Sequence, residues 1–427
     1  MHSLIPLMML FILLTTFNLE AQQNADSSRI DLLNDQAWEL RISQPAEALT
    51  YAMEARRLAK DRLYKGREAT ALCRIALLKS NANELEEATR FVKEAIGLEQ
   101  QIQHDYGLGR AYGLLSNILR KQLDDKLALF YAKKAYQCFD KTQKKESIAR
   151  ALVRLSSVYR RIGILDSALL YAREALSKQK QIGQAKYIGE ALMLVGNIYR
   201  EMQFYDSAIV SYRRAESSLS NIDSIGLSQV KTNIASALIE IGKASQSEQY
   251  SLESMAIRNR LKLSNQANLS NLGLAMSAQG REMAAIEYFE KALTDGQQDL
   301  KVRAEILMNL GNRYLNKDAY KKALIRYEEA LNLIQHSELR FNLMALYDNM
   351  SRVYLLLGDH TRSRGFKNRY QGLRDSLEDE VKDAYVQQIR LTEQENQINV
   401  LSKENEIRQG KIDLAESEKK RIITLFF

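Results

Sequence analysis

The sequence predicts an all-α protein, a solenoid of about nine helical hairpins followed by a long coiled-coil-like helix, and three observations carry that prediction. First, a small residue recurs at Ala48, Ala88, Ala128, Ala168, Ala208, Ser247, Ala285, Ala323 and Ser363, with steps of 40, 40, 40, 40, 39, 38, 38 and 40. A period that steady marks one supersecondary unit stacked on itself. Second, two more small positions keep fixed offsets from the first. Ala55, Ala95, Ala135, Ala175, Ala215, Ala292 and Ala330 follow it by seven residues, two helical turns along one face. Ala76, Ser116, Ser156, Gly196, Ala235, Gly273, Gly311 and Ser351 precede it by twelve. Small side chains there let two antiparallel helices approach closely, while Leu and Tyr around them fill the space between units. Third, the 427 residues include two prolines, Pro6 and Pro45, so nothing between Arg29 and Tyr370 reads as a linker. Stability in such an array is spread over neighbouring interfaces rather than one large core.

Taken in order, residues 1–21 read as an export signal. Leu4 to Phe17 is apolar and uncharged, too short for a span of about 20 residues, and Leu19-Glu20-Ala21 places a small residue before Gln22-Gln23. No cysteine follows that run, which argues against lipid attachment. Cys73 and Cys138 fall on separate hairpins and are expected to remain free thiols.

Residues 22–371 form the predicted repeat body. Its clearest units read Leu192-Met-Leu-Val-Gly196-Asn-Ile-Tyr199 followed by Asp206-Ser-Ala208-Ile-Val-Ser-Tyr212-Arg-Arg-Ala215, and Leu307-Met-Asn-Leu310-Gly311-Asn-Arg-Tyr314 followed by Lys322-Ala323-Leu-Ile-Arg-Tyr327-Glu-Glu-Ala330. In order and spacing these residues resemble the tetratricopeptide repeat family, over residues 29 to about 371. The resemblance implies a right-handed superhelix whose first helices line the inner curve. The family period is about 34 residues and that of HEAT-type arrays about 40–47, so the interval fits either. The small positions favour the tetratricopeptide pattern, with the surplus residues in longer helices or loops. The family's proline at the end of each unit is missing. The sixth unit, with Ser247, Ser251 and Ser254 in its small positions, is the expected bend or weak joint.

Residues 372–421 change character. Leu377, Ala384, Leu391, Ile398, Asn405 and Ile412 recur every seventh residue, but the companion row of Glu380, Gln387, Gln394, Leu401, Arg408 and Ala415 is mostly polar. This predicts a helical linker forming at most a marginal parallel homodimer through 373–421, with Asn405 fixing its register, or else a single solvated helix. Residues 422–427 are an apolar stub behind Lys419-Lys420-Arg421, patterned like the start of a transmembrane helix and so a candidate membrane contact. Signal, repeat array, helix, basic cluster and apolar run in that order are similar to the extracytoplasmic input region of bacterial sensor histidine kinases and of membrane-bound helix-turn-helix regulators. That similarity implies an exported, periplasmic module, tethered to the inner membrane at its C-terminus, without the output domain of those proteins. A free periplasmic scaffold that gathers partner proteins is the alternative.

Charge locates a candidate site. Residues 372–427 hold nine Lys or Arg against twelve Asp or Glu, so the rest of the chain carries +11 of the total +8. A basic body points to an acidic partner, and no base-stacking or groove-reading motif points to nucleic acid. Offsets from the small residue of each first helix place Arg110, Asn117, Arg120 and Lys121, then Arg150, Arg160 and Arg161, then Asn197 and Arg200 on the inner face of units three to five. Asn312 and Arg352 hold equivalent places farther on. Guanidinium groups with interleaved amides suit carboxylates, since each Arg donates two parallel hydrogen bonds. The set resembles the carboxylate clamp with which some tetratricopeptide domains hold a peptide's terminal carboxylate, implying a protein or peptide ligand, acidic or carboxylate-terminated.

Catalysis has no support in the sequence. His2, His104, His336 and His360 are scattered without ligand spacing, so no metal or cofactor site is predicted. Gly107-Leu-Gly109-Arg-Ala-Tyr-Gly113 is dinucleotide-like in letters alone, since no strand precedes it. Trp38 and the tyrosines are read as packing.

Overall fold

The computed structural model describes residues 25–122, 124–295, 300–337 and 339–379, with 382 and 386. The expected signal at 1–21, the linker beyond 379 (382 and 386 apart) and the stub at 422–427 lie outside the described residues. The described residues form eighteen helices and no strand. These are α1 (25–39), α2 (Pro45–Asp61), α3 (Lys65–Asn81), α4 (Leu85–Gln101), α5 (Asp105–Lys121), α6 (Asp125–Thr142), α7 (Lys145–Ile162), α8 (Leu165–Ile182) and α9 (Ala185–Glu201). There follow α10 (Tyr205–Leu219), α11 (Ser224–Glu240), α12 (Ala244–Arg260), α13 (Gln266–Ala278), α14 (Glu282–Thr294), α15 (Leu300–Asn316), α16 (Tyr320–Ile334), α17 (Arg340–Leu356) and α18 (360–379). The chain divides into two compact units, the first ending at Arg281 and the second beginning at Glu282. Among the described residues no helix is long and apolar enough to cross a membrane.

In the first unit each odd-numbered helix from α3 to α11 packs most closely on the helix after it, and every hairpin rests on the next. Neighbouring first helices also meet, α3 with α5, α5 with α7, α9 with α11 and α11 with α13, whereas no two second helices approach as closely among the described residues. First helices therefore line the tighter side of the stack.

The period of 40 comes from long helices and uniform turns. α3, α4 and α5 have 17 residues each and α6, α7 and α8 have 18 each. A residue in the left-handed region follows most of them, at Leu63, Asn83, Gln103, Gln143, Gly163, Gly183 and Gln203. In many of these turns the next N–H bonds back to the carbonyl five residues earlier, Tyr64 to Ala59 at 2.8 Å, Glu84 to Lys79 at 2.9 Å, Ile164 to Tyr159 at 3.0 Å and Phe204 to Tyr199 at 2.8 Å. This Schellman closure satisfies end carbonyls without the family's proline. The surplus over about 34 residues thus sits in the helices, while the turns stay short.

The small positions are where the two helices of a hairpin cross. Ala48, Ala88, Ala128, Ala168 and Ala208 are fully buried, as are their partners seven residues on. Where the opposing small residue is serine, its hydroxyl donates across the crossing, Ser116 to the Ala128 carbonyl at 2.7 Å and Ser156 to that of Ala168 at 2.8 Å. Where it is glycine, a tyrosine fills the gap. A Cβ on Gly196 would stand 2.5 Å from Tyr212 Cε1, and Tyr212 is buried with its hydroxyl donating to Asn197 Oδ1 at 2.8 Å. Gly311, Tyr327 and Asn312 repeat the arrangement in the second unit. There Ser351 donates to the Ser363 carbonyl at 3.0 Å, Phe366 stacks on Tyr354 with centroids 5.5 Å apart, and Leu373 joins the same core.

The sixth unit differs chemically from the rest. Ser247, Ser251 and Ser254 are fully buried, and α11, α12 and α13 meet through a polar layer. Ser254 Oγ donates to the Ser228 carbonyl at 2.8 Å, Thr232 Oγ1 to Asn268 Oδ1 at 2.9 Å, and Asn271 Nδ2 to the Thr232 carbonyl at 3.1 Å. Among the described residues Ser251 Oγ has no partner. A net hydrogen bond contributes about 1 kcal/mol, while a buried Leu or Phe contributes about 1.5–3 kcal/mol, so this interface is the weaker one.

Two measurements follow from the packing. Gly196→Val should destabilise the chain by about 1–3 kcal/mol, the usual cost of overpacking, read from denaturant midpoints; an unchanged midpoint would mean the crossing is loose. In hydrogen exchange, α12 and α13 should lose amide protection before α5 to α8. Equal protection would contradict a weak polar joint.

Candidate functional site

A cleft of about 410 Å³ opens between first helices of three successive hairpins. α5 supplies Asn117 and Arg120, α7 supplies Arg150, Val153, Arg154, Ser157 and Arg160, and α9 supplies Tyr187, Glu190 and Ala191, with Gln179 reaching in from α8. Of the residues expected on the inner face, Asn117, Arg120, Arg150 and Arg160 therefore share one site.

Arg154 is the centre of it. Its guanidinium occupies space left by Gly113 on α5, where a Cβ would stand 2.6 Å from Nη1. Nε makes a long hydrogen bond to Asn117 Oδ1, 3.4 Å. Burial, then the neighbouring Arg150 and Arg120, pulls its pKa down to about 10. Burial, then Arg161 and Arg160, also lowers Arg120, against an opposing effect of Asp125. Both stay charged at neutral pH. Among the described residues no carboxylate lies within ion-pairing distance of Arg120, Arg150 or Arg154, and the buried Nε of Arg160 has no partner. Guanidinium groups normally find carboxylates when withdrawn from water. The half-buried Arg120 and Arg154 do not, and with the exposed Arg150 on the same cleft they form a site for an anion.

The other expected residues are placed differently. Arg161 pairs with Asp125 at 2.7 Å, and Arg160, although it lines the cleft, is neutralised by an ion pair with Glu201. Lys121 Nζ donates to the Ser80 carbonyl at 2.7 Å. Asn197 accepts from Tyr212 and from Asn233 Nδ2, the latter at 3.2 Å. Arg200 lies beside Tyr212, whose hydroxyl burial pushes up to about 12 while Arg200 opposes the shift. Arg110 stands outside the cleft near Arg74, and Arg74 covers Trp38 at 4.3 Å from its ring centroid with Arg41 at 3.7 Å. Trp38 is thus an exposed ring in contact with two cations rather than core packing.

Sequence reasoning missed Arg154, Gln179, Tyr187 and Glu190. The legible signal for Arg154 was Gly113, a glycine within a helical pattern, which makes room for a long side chain from the next hairpin. Gly107 and Gly109 of the same run make room for Glu99 and Phe139.

No family model matches this chain, and no curated protein is similar to it. Solved structures are similar in fold. The apo form of RapI matches with a TM-score of 0.62 and 13% identity, covering 83% of this chain and 99% of that one. A Rap protein complexed with Competence and Sporulation Factor matches at 0.55 and 15%, with coverage of 83% and 99%. A tetratricopeptide repeat protein from Parabacteroides merdae matches at 0.50 and 18%, with coverage of 66% and 99%. The fold is an all-α array of the tetratricopeptide type.

A cluster of unpaired cations costs stability, so Arg154→Met should stabilise the folded chain, by about 1–2 kcal/mol, in urea denaturation. A lower midpoint would make Arg154 a structural residue.

Proposed function

We propose that the chain is a non-enzymatic binding module that holds a carboxylate-terminated or acidic segment of a peptide or protein in the cleft of α5, α7 and α9. The observation that carries this is the set of three guanidinium groups, Arg120, Arg150 and Arg154, without carboxylate partners. A carboxylate entering there gains charge-assisted hydrogen bonds and relieves the repulsion among the three. The lining offers charge and amides rather than a nucleophile with its base. Ser157, the one hydroxyl on the arginine wall, already donates to the Val153 carbonyl at 2.8 Å. A Rap protein of similar fold is complexed with Competence and Sporulation Factor, which supports recognition as the use of such an array. We place the module outside the cytoplasm, exported through residues 1–21. Residues 373–421 would pass the bound state toward a membrane as the input half of a signalling protein.

The test uses the full chain and N-acetylated hexapeptide mixtures, each made as free acid and as amide, read by competition in fluorescence anisotropy. Free acids should bind about 10–100-fold more tightly, the value of hydrogen bonds to a charged group. Arg120→Glu and Arg154→Met should each abolish the difference. Equal binding of acid and amide by the unaltered chain would sink the reading.

A further inference from the structure

The walls of the cleft are sorted by charge. Arg120 comes from α5 and Arg150 and Arg154 from α7, whereas α9 presents a carboxylate, Glu190, and an aromatic ring, Tyr187. Glu190 makes no ion pair or hydrogen bond to any described residue. The nearby Lys186 is engaged by Asp223 at 3.3 Å, and no cleft arginine lies within 4 Å of Glu190. Burial at the cleft raises its carboxyl, Lys186 opposing and Asp223 adding to the shift. Tyr187 is 44% exposed, and no cation of the described chain stands over its ring. Three residues apart on one helix, Tyr187 and Glu190 share a face. An aromatic face beside a carboxylate recognises a cation, the first through its quadrupole and the second through charge.

We propose that the cleft selects peptides whose last residue is basic. The terminal carboxylate meets Arg120, Arg150 and Arg154, and the Lys or Arg side chain of that same residue reaches Glu190 and Tyr187. The inference rests on the carboxylate reading above and narrows it. Arginines alone would favour an acidic last residue, so the two readings predict opposite orders of affinity. Rejection of an acidic residue comes from Glu190, since bringing a second carboxylate against an unpaired one is repulsive. The cleft can hold one terminal residue while the rest of the peptide leaves past the exposed Arg150 and Tyr187.

The experiment takes the full chain and N-acetylated hexapeptide mixtures randomised at five positions and fixed at the sixth as Lys, Gln or Glu, each as free acid and amide. Among free acids, Lys-ended mixtures should bind roughly tenfold more tightly than Gln-ended ones and Glu-ended ones least, as expected for one charge-assisted contact. Glu190→Gln should remove most of the Lys-over-Gln preference, leaving what the Tyr187 ring supplies, and Tyr187→Leu should narrow the gap to a lesser extent. Lys and Gln binding alike, or Glu binding best, while free acids still exceed amides, would overturn this inference and leave the carboxylate reading standing. An undiminished Lys preference in Glu190→Gln would overturn it as well. No advantage of acid over amide for any mixture, or no binding at all, would remove both.

Discussion

Everything in this array depends on how closely two helices of a hairpin can cross. At the crossings from α3 with α4 to α11 with α12 the side chains are no larger than serine, and the first consequence is that a side chain of one helix reaches the backbone of the other, seen in Ser116 and Ser156 donating to the carbonyls twelve residues on. A fixed crossing fixes the register between helices, and the register fixes where each helix must end. Left-handed residues therefore recur every twenty positions through Leu63, Asn83 and Gln103 and again through Gln143, Gly163, Gly183 and Gln203. Leu and Gln have no preference for that conformation, whose cost is roughly 1–2 kcal/mol per residue. Tertiary packing imposes it.

The same regularity builds the cleft. Because first helices of neighbouring hairpins stand on the tighter side, side chains at equivalent places on α5, α7 and α9 converge. Convergence of like charges is unfavourable, and the chain does not relieve it at Arg120, Arg150 and Arg154 as it does at Arg160 with Glu201 and at Arg161 with Asp125. Gly113 goes further, admitting the Arg154 guanidinium to a place from which a Cβ there would force it to shift. Local rules broken without internal compensation mark functional places in folded proteins.

The period, the hairpins and their crossings were legible because they depend on residue size at fixed offsets, which a sequence states outright. The turns were not, since Leu63 and Gln203 carry no turn signal and their geometry is dictated from outside. The inner face was legible as a set of positions, which is why Asn117, Arg120, Arg150 and Arg160 meet in one cleft. Partners were invisible. Arg161 and Asp125 lie 36 residues apart, Arg160 and Glu201 41, and nothing local couples them. Arg154 escaped notice because its place depends on a glycine on another helix, and Glu190 because a search for basic residues passes over an acid that completes the site.

The sixth unit shows what the crossing rule permits when its apolar surroundings are withdrawn. Ser247 still donates across to the Ala235 carbonyl at 2.8 Å, so the hairpin geometry survives. What changes is the contact between hairpins, where Ser254, Thr232 and Asn268 replace methyl groups by hydrogen bonds that require particular angles. Apolar contacts tolerate sliding with little loss, whereas directional bonds are held or broken. Asn197 ties this layer to the cleft, accepting from Asn233 of α11 while sitting on α9, the helix that carries Tyr187 and Glu190. A residue expected to touch ligand thus serves as the joint between the cation-selecting wall and the polar layer. The recognition surface and the polar layer of the first unit thus meet at the contact of α9 with α11.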